Sequence, residues 1–217
     1  MRVVFKRNGP EFDRGLGFLD AVYGFAITLL VANIDLPPAE AWRDPALLFD
    51  YGLGTQLIGF LISFAVIALF WYYNATLLSR FRALDGPVIV ANLVATGFIV
   101  LLPFTTQAIS DPGISEYPFP TALYALNLAF VMLSQTATRE LGRARGLIAH
   151  DIPRGAWWAE RVDVGAQIVV FLVSIPIAYL AGPTWAQLSW ALVLVVGRIT
   201  GKWSSRVAKR HETEHAA

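Results

Sequence analysis

Long uncharged runs constrain this chain more than any other feature. No Asp, Glu, Lys or Arg occurs in 51–79, 86–110, 117–138 or 164–197, and a shorter run, 21–34, lies between Asp20 and Asp35. A bilayer's hydrocarbon is about 30 Å thick and an α-helix rises 1.5 Å per residue, so about 20 apolar residues cross it. Backbone amides and carbonyls have no partners in lipid, so the runs must be helices. Composition agrees. Of 217 residues, 56% are hydrophobic and only 15% charged, against roughly 25% charged in a soluble domain.

The run 164–197 is too long for one span, and Gly182-Pro183 divides it. Proline lacks an amide donor and glycine tolerates positive φ, so the pair reads as a turn. The expected fold is therefore all-α and integral to the membrane. It has six transmembrane helices, at about 14–36, 51–80, 86–110, 119–141, 158–181 and 184–206. Residues 1–206 form one six-helix domain, and 207–217 are a tail.

Loop charge predicts the orientation. All but Arg43 of the 17 Lys and Arg residues fall on the side of the N-terminus. The positive-inside rule makes that side cytoplasmic, with both termini there, in the cell inner (plasma) membrane. Trp42, Tyr51, Tyr117, Trp157, Trp158, Trp185 and Trp203 stand near the expected helix ends, as interfacial anchors do.

Several function classes drop out. No cysteine is present, so disulfides, thiolate metal sites and a cysteine nucleophile are excluded. The net charge of +1 gives no reason to expect nucleic-acid binding. The start, MRVVFKRNGPEFDRG, has no apolar segment before its charges and is not a cleavable signal peptide. All three histidines, His150, His211 and His215, lie outside the spans. His211 and His215 have the i,i+4 spacing that suits a metal, but a solvated tail accounts for them better, and no metal, cofactor or catalytic residue is expected.

The first helix is unusual. To span, it must hold Asp20 at membrane level, which costs roughly 2.5–3.5 kcal/mol for a carboxylate at a helix centre on insertion scales. Such a group faces a bundle interior or aqueous cavity, or sits at the interface near the positive helix N-terminus. Phe25, Leu29 and Ala32 share one face; helix packing and pore lining both explain such a stripe.

Arg14-Gly-Leu-Gly-Phe18-Leu-Asp20, running into AVYGFAITLLVANI, resembles the start of the bacterial branch of the transmembrane protein 175 family of potassium channels. That family opens with Arg, three residues and Phe-Ser-Asp. Arg14, Phe18 and Asp20 match, and Leu19 replaces the serine. The second helix is similar to the family's FLISFxVIxxxW segment, with Trp71 in place. Tyr73-Asn74-Ala75 stands where the family often has Asn-His-His. Asn92 and Leu101-Leu-Pro-Phe-Thr-Thr106 match the third-helix pattern Asn…LLPFTT.

The resemblance implies a homotetramer in the lipid bilayer, with first helices around a pore permeable to K+ ions and no carbonyl filter of the Thr-Val-Gly-Tyr-Gly type. It casts Phe25, Leu29 and Ala32 as pore lining, with Phe25 where relatives carry a narrow isoleucine ring. It casts Arg14, Phe18, Asp20, Trp71 and Asn92 as a supporting network around the first three helices. The rival readings are a secondary transporter, for which no internal repeat is evident, and a non-conducting structural or sensing protein.

Overall fold

The computed structural model describes residues 4–7, 9–149 and 154–197. His150, His211, His215, Trp203, the tail 207–217 and the end of the expected sixth span lie outside them.

Helix α1 (Pro10–Ala32) starts four residues earlier than expected. Pro10 supplies a preset φ at the first turn, and Glu11 and Asp13 face the positive end of the helix dipole. The helix stops at Asn33, whose amide donates to the Leu29 carbonyl, before Pro37-Pro38. The link to the next span is not plain loop. It holds a 3-10 turn, Ala39–Arg43, and a short helix α2 (Pro45–Asp50) capped by the Asp44 carboxylate. Then come α3 (Leu53–Ser79), α4 (Gly86–Ser110), α5 (Pro118–Ala144) and α6 (Arg154–Leu180). Gly182, at φ 101°, makes the expected turn into α7 (Pro183–Ser189), and helix resumes over 192–197.

Among the described residues, four helices are long and apolar enough to cross a membrane: Pro10–Ala32, Leu53–Ser79, Gly86–Ser110 and Trp157–Leu180. This is an all-α, multi-pass membrane protein. The count falls short of six for two physical reasons. α5 has the length, but polar residues such as Thr121, Asn127, Ser134 and Gln135 dilute its uncharged stretch, and Arg139, Glu140 and Arg143 follow in its last turns. It is also wrapped by protein, burying Tyr124, Ala125, Leu128, Ala129, Val131 and Met132 against α1, α3, α4 and α6. A helix enclosed by its neighbours has less need of a lipophilic surface. The apolar helix Pro183–Gly197 is shorter than a span within the described residues.

The end of the bundle nearest the N-terminus carries a small cap that the sequence did not predict. Strand β1 (Val4–Lys6) pairs antiparallel with β2 (Ala83–Asp85), Phe5 opposite Leu84. Phe81 bridges to Ile148 beside it. Arg7 donates to the Ser79 and Phe81 carbonyls, and Arg82 to the Gly146 carbonyl. Asp85 pairs with Arg145 and also caps α4 through the Val88 amide. Beneath this ribbon Phe12, Leu19, Leu78, Phe81, Leu84 and Val88 form a second apolar core. The start of α1 is thereby tied to the ends of α3, α4 and α5.

Candidate pore helix and its supports

α1 has two unlike faces. Phe12, Leu19, Tyr23, Ala26 and Leu30 are buried, at spacings of seven, four, three and four, so they form one seam against the bundle. The opposite face carries Phe18, Phe25, Leu29 and Ala32, all exposed in the single chain. Phe25 is 71% exposed and Leu29 44%, whereas Tyr23 is 1% and Ala26 0% exposed. The residues at 22–25, which superficially resemble a carbonyl filter, lie in the middle of this helix. Their carbonyls are committed to i+4 amides rather than aimed at an ion.

The structure brings some of the expected network together. The Trp71 indole N–H donates to Asp20 Oδ1 at 2.8 Å, joining α3 to α1. Asp20 is exposed in the single chain, and the indole supplies it one strong donor near the middle of the helix. Asn92 reaches α3 instead: its Nδ2 donates to Asn74 Oδ1 at 2.6 Å, and both residues are buried. Arg14 and Phe18 are not drawn in. Both are exposed, and Phe18 projects with the Phe25 face rather than toward α3 or α4.

Other supports were missed from sequence. Gln135 of α5 donates to the Tyr23 hydroxyl and to the Phe70 carbonyl, each at 3.3 Å, so one amide holds α1, α3 and α5. Nearer the opposite end, Thr106 donates to Ser63 at 2.7 Å, and Ser63 shares a hydrogen bond with Tyr124 at 3.2 Å. That chain of hydroxyls knits α3, α4 and α5 in the apolar core. Buried polar groups are hydrogen-bonded as a rule, and in lipid the alternative is an unmet donor. Asn74 was visible only as a departure from the family's histidine pair. Gln135 had no local signal, because its partners lie 65 and 112 residues away.

No group of acidic or histidine side chains among the described residues is arranged to hold a metal ion. The site is an exposed helix face with polar clasps behind it.

Known proteins give this arrangement a context. The sequence model of the family described as endosomal/lysosomal potassium channel TMEM175 matches residues 14–103. A potassium channel of Chryseobacterium sp. (strain P1-3) is 21% identical over 119 residues, covering 55% of this chain but 58% of that protein. A potassium channel of Streptomyces collinus is 23% identical over 197 residues, covering 86% of this chain and 92% of its own length. Among solved structures, a lysosomal potassium-selective channel TMEM175 homolog from Chamaesiphon minutus superposes with a TM-score of 0.67 at 19% identity, over 90% of this chain and 99% of that one. That likeness concerns the fold. The matched family is one of channels, not enzymes. The matched segment runs from Arg14 to Pro103, through α1, α3 and most of α4, and holds the Asp20–Trp71 and Asn74–Asn92 clasps.

Proposed function

We propose that this protein is a potassium-permeable cation channel assembled as a homotetramer, with α1 lining the pore. One observation carries the reading: α1 buries one seam in its own subunit and leaves the Phe25–Leu29–Ala32 face unpartnered on the opposite side. Four such faces around an axis make an apolar constriction with Phe25 as its bulkiest ring. Permeation through it depends on pore width, hydration and dewetting rather than on replacement of water by backbone carbonyls. The potassium-channel names of the Streptomyces and Chryseobacterium relatives support the choice of ion.

The proposal includes six spans per subunit in a single domain, residues 1–206. The fifth is α5, and the sixth runs on from Pro183–Gly197. Both termini and the tail 207–217 lie in the cytoplasm of the inner membrane, on the strength of the loop charge. The Asp20–Trp71 and Asn74–Asn92 clasps then hold α1 and its neighbours in place near the cytoplasmic half of the pore.

Flux from purified protein in liposomes tests this, comparing potassium, sodium and caesium for the native chain and Phe25→Ile. Potassium flux that changes with Phe25→Ile is the expected result. No flux from either protein despite verified tetramers contradicts the channel reading and favours a structural role. Saturable, counter-ion-coupled uptake contradicts it in favour of a transporter.

A further inference from the structure

A lateral cavity of about 670 Å³ separates α3 from α6 and the Pro183–Gly197 helix, with α5 as its floor. Its walls are apolar along the membrane, with Val66 and Leu69 on one side and Val193 and Leu194 on the other. Toward the end that carries the cap, the lining turns polar and bears both signs of charge. There Arg139 pairs with Glu160 at 2.5 Å, and the Asp163 carboxylate and the Gln135 and Gln167 amides also line the space.

We infer that this cleft seats one acyl chain of a zwitterionic phospholipid, with its phosphate and ammonium against the Arg139–Glu160 pair. The lining is amphiphilic in the sense that a lipid is, with an apolar length and a charged end. A guanidinium matches a phosphate's geometry, and a carboxylate matches an ammonium. With two carboxylates, Glu160 and Asp163, beside one guanidinium, the rim disfavours an anionic head and suits a zwitterionic one.

The site also bears on α1. Gln135, which faces the cleft, is the amide that holds Tyr23 of α1 and the Phe70 carbonyl of α3. An occupant touches the side chain that ties the proposed pore helix to its scaffold.

The test uses the full chain in liposomes containing a phosphatidylethanolamine with a photoactivatable group midway along one acyl chain, followed by peptide mapping. The expected labels concentrate on Val66, Leu69, Val193 and Leu194. Filling the cleft with Val66→Trp is expected to reduce them to the level on Val94 and Phe104, which face outward on α4. Leu69→Trp, at the more exposed rim, carries the same test if Val66→Trp fails to fold. Uniform labelling of cleft and outward faces, or no loss in a folded tryptophan variant, overturns the site. Equal labelling by an anionic phosphatidylglycerol analogue overturns the headgroup assignment. A cross-link from Val66→Cys to a second subunit would show that protein, not lipid, fills the space. The readout is occupancy, so it stands or falls independently of ion flux.

Discussion

Gly142 is where a single methyl group tests the cap most sharply. A Cβ at this position of α5 would lie 2.2 and 2.3 Å from two ring atoms of Phe81. Carbon atoms sit best at about 3.5–4.0 Å, so the overlap exceeds an ångström. Phe81 is 0% exposed and its backbone is bridged to Ile148, so the ring has little room to retreat. Overpacking of this kind costs about 1–3 kcal/mol. At about 2–4 °C per kcal/mol for a chain of this length, Gly142→Ala should lower the thermal midpoint by about 2–12 °C. The assay is thermal unfolding of the purified protein, followed by tryptophan fluorescence and by monodispersity after heating. Phe81→Leu shortens the ring and should recover part of the loss in the Gly142→Ala background, although alone it leaves a void. An unchanged midpoint for Gly142→Ala, or a loss that Phe81→Leu does not relieve, would refute the tight contact between α5 and the α3–α4 link.

Two further predictions concern the polar clasps. Replacing either Asn74 or Asn92 by Leu strands a buried amide and should cost about 1–3 kcal/mol, whereas replacing both should cost less than the sum; unfolding midpoints of the four proteins give the coupling directly. For Asp20→Ala and Trp71→Phe the expected coupling is smaller, about 0.6 kcal/mol and at most about 1.7. Asp20→Ala should nonetheless lower tetramer yield or ion flux, and unchanged yield with unchanged flux would remove Asp20 from the support.

The helices were legible because their signal is local. Charge-free length and the Gly182-Pro183 turn are each read within one continuous segment, and α4 falls at the expected 86–110. What escaped was either short or non-local. Strand β1 is three residues long, and its partner lies some eighty positions away. α5 reads from sequence as one span among equals, but the fold makes it the central helix, and only tertiary packing reveals that. The same holds for the site. Asp20 and Trp71 were singled out separately, and the fold joins them. Arg14 belongs to the same sequence motif yet makes no such bridge, because adjacency in a motif does not fix the direction of a side chain. Asn74 and Gln135 became visible only once their partners were in place.

In the proposed channel the Phe25 face of α1 lines an aqueous ion path. The chain has no cysteine, so a single thiol can be placed at will. The decisive measurement is potassium flux in liposomes before and after a charged, water-soluble thiol reagent, with cysteine in turn at Phe25, Leu29 and Ala32, and at Leu30 and Phe104 as controls. Modification is expected to alter flux at the first three positions and to leave it unaltered at Leu30, in the buried seam, and Phe104, on the outward face of α4. Flux that is insensitive at Phe25, Leu29 and Ala32, or equally sensitive at all five positions, would contradict it.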